Sequence, residues 1–420
     1  MIKENNCMVK SLFTVYIFLF IFTMYNREFM PFNIDLRYFL ILISGIFFIY
    51  IGWKLCLKIK EVKNLKDIII ILVEKATHYP SVVWFILLFY FNMIISNIMW
   101  LFNGLIYNTS DIKSSIILNS TNLIVLLIIY LLKDNMNNKV VKNSIIISHI
   151  VLLISILLVW KGYSLSEIMG GEYPGYYGGL ENSNFFGHDF RLAGYAQDPN
   201  YASFFMVISF FTGLYFIQNR YVKYAICLSS VFGFFLSGSR TIALAIISSV
   251  IFVFVWKKLK DKNEKFALGF VSLFVIAIAV VPYLVVKIMT LANLNFNLNT
   301  MSTRLSMWDT AVILFEKSPW IGNGLTSFRS FYEASGGWYV QAHSTILQIL
   351  SENGIIGMVL FTIIFILLMK SKGDYKQYLC FIFLVFGLTS ELVYLSIFPF
   401  IIGGVAILNY NNYENGEKFE

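Results

Sequence analysis

The chain has 420 residues, of which 58% are apolar, 18% aromatic and only 13% charged, with a mean hydropathy of +0.71. A soluble domain this apolar could not cover its surface with polar groups, so the composition excludes one and requires an integral membrane protein. The net charge of +8 does not point to nucleic acid, because the lysine excess falls in segments assigned to one side of the membrane.

A span needs ~20 mostly apolar residues. Twelve segments are candidates: 11–26, 38–57, 82–102, 116–133, 144–160, 200–218, 222–237, 241–256, 266–286, 355–369, 378–390 and 392–409. The sequence therefore predicts an all-α integral membrane protein, a single polytopic domain over 1–420 with about 12 transmembrane helices. Lys3 and Lys10 precede the first apolar run, and no small-residue cleavage site follows it, so that run reads as a span. The stretch 68–80 is too short and too charged to cross and fits the inner surface.

The Lys/Arg bias sets the orientation. With both termini inside, 22 of the 32 basic residues are inner and 10 are outer. Six of the seven arginines (Arg27, Arg37, Arg191, Arg240, Arg304 and Arg329) fall on the outer side. Orientation does not require outer arginine, which points instead to a phosphate-bearing ligand on that face. The four cysteines, Cys7, Cys56, Cys227 and Cys380, lie on the inner side or at inner ends of spans, and no disulfide is expected.

Two outer loops are long, 161–199 and 287–354. Loops of this length are usually functional. The first holds a Gly/Tyr-rich run from Gly170 to Gly179. In the second, Ser302 or Thr303 is placed to cap a helix reaching Glu316, with Leu305, Trp308, Val312 and Phe315 on one stripe. Ser318-Pro319 ends it. Another helix is expected from Ser344-Thr345, with Gly354 as its stop.

Several groups could carry chemistry. Asp198-Pro199 reads as a helix cap and first turn, which sets Arg191 just outside a span. Ser237-Gly238-Ser239-Arg240 joins two apolar runs by a tight turn with backbone and hydroxyl donors, suited to an anion. Arg304 lies near a helix N-terminus, where a cation is mildly unfavourable unless an anion binds both. For each arginine the plain alternative is an interfacial anchor or a solvated charge. His343 opens an outer helix, and histidine as a residue type suits a general base; the alternative is a surface or capping histidine. There is no His/Cys metal set, Walker loop or G-x-S-x-G elbow, so neither metal nor cofactor is expected.

Taken together, these pieces resemble the O-antigen ligase and Wzy-type polysaccharide polymerase superfamily over roughly 185–365. The resemblance rests on Arg191 to Asn200, Ser237-Gly238-Ser239-Arg240, Arg304 to Trp308, and Pro319-Trp320-Ile321-Gly322-Asn323-Gly324. It is completed by His343-Ser344 with Gln348 and Glu352-Asn353-Gly354-Ile355-Ile356-Gly357. Histidine is often followed by Asn in the family, whereas Ser344 stands here.

The resemblance implies a membrane glycosyltransferase at the outer face of the bacterial cytoplasmic membrane. Its donor is a glycan on polyprenyl, usually undecaprenyl, pyrophosphate, moved to a sugar hydroxyl. A flippase and a chain-length regulator are the implied partners. Guanidinium binds phosphate oxygens in bidentate fashion and stays charged. Arg191, Arg240 and Arg304 are therefore expected to clamp the pyrophosphate, the resemblance also allowing Arg304 to orient the acceptor instead, with His343 as first and Glu352 as second choice of base. Polymerisation of repeat units is the favoured activity, and ligase-type transfer of a finished glycan is the alternative. A lipid-linked sugar transporter is the competing class, but transporters usually set charged groups at mid-membrane and not at outer span ends.

Overall fold

A computed structural model describes residues 7–26, 29, 36–61, 81–102, 120, 123–125, 127–129, 138–163, 176–178, 190–196, 198–291, 299–337, 340–370, 374–388 and 390. The expected surface segment 68–80 and the last expected span, 392–409, lie outside these residues, as does most of 116–133. The described residues fall into two compact units, those within 7–61 and 127–244 in one and those within 81–125 and 245–390 in the other.

The first unit contains α1 (Cys7–Tyr25), α2 (Arg37–Glu61), α4 (Asn138–Trp160), α5 (Pro199–Phe216) and α6 (Arg220–Ser237). α1 packs against α2 through Tyr16, whose hydroxyl lies 3.0 Å from Ser44 Oγ. It packs against α4 where Asn26 Nδ2 donates to Ser148 O at 3.1 Å. The Tyr25 ring stacks on Phe205 of α5 at 4.6 Å. Asp198 caps α5 by accepting from Asn200 N, with Pro199 in the first turn, as the sequence predicts. Asn219 caps α6, and Gly238 ends it in the left-handed region that glycine adopts without a Cβ penalty. α7 (Arg240–Lys262) begins two residues later.

The second unit holds α3 (Ser81–Phe102), α8 (Glu264–Leu291), α9 (Asn299–Lys317), α10 (Ser327–Ala334), α11 (Thr345–Lys370) and α12 (Asp374–Phe386). α11 is central and packs on α3, α8, α9 and α12. Met307, Ala311 and Leu314, spaced one helical turn apart on α9, form a core with Val286, Val312, Phe328, Tyr332, Ala342 and Leu347.

Among the described residues helix dominates, as the sequence predicts, with one short strand pair added to it. Tyr176–Gly178 (β1) and Phe190–Leu192 (β2) pair antiparallel, with Tyr177 opposite Arg191. A 3-10 turn, Gly194–Ala196, follows β2. The segment 287–354, expected on the outer side, carries a further helix, α10, which the apolar pattern does not reveal. Ser302 and Thr303 do not cap α9, because it begins at Asn299 and they lie within it.

Among the described residues, three helices are long and apolar enough to cross a membrane: Lys139–Trp160, Arg240–Lys262 and Thr345–Met369. Four shorter apolar helices accompany them, and a count of twelve spans is not established. On α7, Ile247, Ile251 and Phe254 lie along one face and are each at least 60% exposed. Such a stripe in water would promote association, whereas lipid is its natural solvent.

Candidate functional site

In the first unit, Arg191 is the hub. Strand pairing holds its backbone, and its side chain is half-buried. Nε donates to Ser237 O at 3.2 Å, and Nη2 donates to Asn200 Oδ1 at 2.8 Å. Ser239 Oγ donates to the same Asn200 oxygen at 2.9 Å. Two bonds from one planar group fix the plane of the guanidinium. They also tie the start of α5 to the turn between α6 and α7. Arg240, exposed, is the first residue of α7. The structure thus brings Arg191 together with the Ser237–Ser239 turn. Asn200 is the residue to which sequence reasoning gave no role; its signals were its place at the end of the resembling segment and after the Asp-Pro helix start. Tyr195, buried beside β2, has its phenol pKa raised by that burial.

In the second unit, α11 is broken at Gly354, whose φ of 66° and ψ of −167° suit glycine alone. A Cβ there would overlap Trp320 O. The break frees backbone groups that must find other partners. Upstream of it, Ser351 O accepts from Asn323 N at 3.1 Å, and Glu352 O accepts from Gly324 N at 2.9 Å and from Ser96 Oγ. Asn353 O accepts from Asn92 Nδ2 at 3.1 Å. Downstream, Ile355 N donates to Pro319 O at 2.8 Å and Ile356 N to Trp320 O at 3.1 Å. The turn 319–324 thus supplies acceptors to one half of α11 and donors to the other. Asn323 Nδ2 adds bonds to Leu314 O and Ser351 O, at 2.7 and 2.9 Å.

His343 precedes α11, exposed, with φ of 48°. A non-glycine residue there carries strain of about 1–3 kcal/mol. Its neighbours hold it. Thr345 N donates to Gly387 O at 2.7 Å, and Thr345 Oγ1 donates to Ser390 O at 2.8 Å. On the other side, Ala342 N donates to Gln348 Oε1 at 2.9 Å. Glu352 is fully buried, and its Oε1 accepts from Gln348 Nε2 at 2.7 Å and from Phe328 N at 3.1 Å. Thr326, the residue before α10, makes no capping bond with its side chain, so the Glu352 carboxylate serves the first turn of that helix. Gln348 carries no sequence signal beyond its place in the resemblance.

Arg304 is exposed on α9, and Arg329 is half-buried on α10. Arg27 lies outside the described residues, as do the side chain of Arg37 and most of the Gly/Tyr-rich run. An apolar cavity of about 380 Å³ lies among α8, α9 and α11, lined by Ile276, Val280, Phe315, Leu350, Met358 and neighbours. Tyr283, also in its wall, donates to Glu316 Oε1 at 3.3 Å. Lys287 pairs with the same carboxylate at 2.6 Å, a hydrogen bond that raises the lysine pKa.

The helical frame, the lipid-suited faces and the ordered polar groups define a membrane protein with a built polar region in each unit. Residues 225–362 match the family model described as O-Antigen ligase, which covers the α6–α7 turn, α9, the α11 joint and His343. The resemblance to the O-antigen ligase and Wzy-type superfamily is shown over that segment. The match supports a glycan-handling function of the ligase or Wzy type and a membrane glycosyltransferase-like enzyme. It is consistent with a lipid-linked oligosaccharide as partner. No curated protein and no solved structure matches the chain.

Proposed function

We propose that this protein polymerises oligosaccharide repeat units carried on polyprenyl pyrophosphate at the outer face of the bacterial cytoplasmic membrane, with both termini inside. The observation that carries this reading is the Arg191–Asn200–Ser239 constellation beside Arg240. A guanidinium held in a fixed plane at a turn of hydroxyl and backbone donors is suited to phosphate oxygens.

The acceptor sugar hydroxyl attacks the anomeric carbon of the donor. The new C–O bond forms as the bond to pyrophosphate breaks, and the pyrophosphate leaves with the electron pair. Arg191 and Arg240 offset the growing charge, with Arg304 as the third cation assigned to it. His343 takes the hydroxyl proton. The apolar cavity beside α11 suits the hydrocarbon of a lipid carrier.

Ligase-type transfer of a finished glycan uses the same chemistry with another acceptor. A gel of lipid-linked glycans from cells with and without the gene separates the two. Polymerase activity predicts that deletion collapses a ladder of repeat units to a single unit on the carrier. A ladder that persists on the carrier but no longer reaches its final acceptor makes the protein a ligase. Single units held on the inner leaflet make it a transporter.

A further inference from the structure

Two buried side chains, Gln348 and Glu352, connect α10 to the segment before α11. Phe328 N and Gln348 Nε2 both donate to Glu352 Oε1, and Gln348 Oε1 accepts from Ala342 N. The orientation of this relay is forced. Ala342 N–H is only a donor, so the amide oxygen of Gln348 must face it. The amide NH₂ then faces Glu352, whose Oε1 must accept. Glu352, Phe328 and Ala342 are fully buried and Gln348 is 1% exposed. The residue after Ala342 is His343, in its left-handed turn. Thr345 is anchored separately to Gly387 and Ser390.

We infer that Gln348 and Glu352 are positioning residues for His343: they fix the backbone on its N-terminal side, while the Thr345 anchors fix the other, and so hold the imidazole in one place. This assignment rests on the proposed role of His343 as base. It removes Glu352 from proton transfer, since its side chain is enclosed and its Oε1 accepts from the Phe328 N–H and from the Gln348 side-chain amide. The carboxylate is needed here as an acceptor, and a glutamine at 352 supplies an oxygen at the same place.

The test uses the full-length protein in membranes, with Gln348→Met, Glu352→Gln and wild type compared by two readouts. Amide hydrogen exchange of the peptide containing Ala342 reads the relay without catalysis. Transfer from a lipid-linked oligosaccharide reads kcat, KM for the donor and the pH profile. Q348M is expected to speed exchange at Ala342 and to lower kcat about tenfold or more, with KM for the donor unchanged. E352Q is expected to retain protected exchange, to lose less than about tenfold in kcat, and to keep the acid limb of the pH profile. A loss in E352Q of the ~10²–10⁴-fold typical of a missing base, with that limb abolished, overturns the assignment. So does wild-type exchange and kcat in Q348M. If Q348M does not accumulate, E352Q alone decides between these outcomes. A wild-type protein that transfers nothing sinks the proposed function, while the exchange rates still judge the relay.

Discussion

Arg191 bonds to a backbone carbonyl through Nε and to a side-chain amide oxygen through Nη2. Lysine has a single ammonium at the end of a flexible stem and cannot reproduce both directions. Arg191→Lys should therefore lower transfer about tenfold or more, read as loss of the glycan ladder; full activity in this variant would remove Arg191 from the site. His343→Ala should slow transfer by roughly the ~10²–10⁴-fold a general base contributes, with donor binding intact. Unchanged turnover would rule it out as base. The legibility of the two residues differed for a physical reason. Arginine in segments assigned to the outer side stands out because charge bias sets membrane orientation without it. The left-handed φ of His343 is invisible in sequence, since nothing local demands it; the chain is held before it by Gln348 at Ala342 and after it by the Thr345 bonds to Gly387 and Ser390.

The break in α11 makes sense of two motifs that looked independent. Pro319 to Gly324 and Glu352 to Gly354 lie about thirty residues apart in sequence, yet each satisfies the backbone of the other. Gly354 was legible as a stop because the amphipathic pattern ends there. That a second helix starts at once was also legible, as a new apolar span. The partner turn was not, because a backbone-to-backbone joint leaves no side-chain signature except the glycines that permit close approach. Gly354→Ala should break this joint, adding backbone strain of about 1–3 kcal/mol before the overlap with Trp320 O is counted. The expected result is a sharp fall in thermal midpoint in detergent, and an unchanged midpoint would show that the joint is slack. α10 escaped detection because it is only eight residues long and its first turn is served by Glu352 from another helix.

For the whole molecule, composition was enough to require a membrane, but it could not count the spans. Among the described residues three helices meet the length and hydropathy needed, while α5 and α6 are 18 residues each and carry polar side chains that face protein. Hydropathy reads the average of a segment and not which face meets lipid. Orientation remains a matter of charge. Cysteines introduced singly at Gly336 and at Asn263 should label from the outer and inner sides respectively with an impermeant thiol reagent; the reverse pattern would invert the topology. Chelation by EDTA should leave transfer unchanged if arginine offsets the pyrophosphate charge, and metal-dependent turnover would overturn that role. The joint at Gly354 has one more consequence. The chain departs from it at Gly324, is pinned at Phe328 by Glu352 and by Tyr332 in the core, and is bonded again at Ala342, so the stretch after α10 is an excursion closed at its base. Its length and content can drift, around the Gly336–Gly337 turn above all, without shifting the helix it returns to. A lineage could thus exchange the insert while the socket stays as it is.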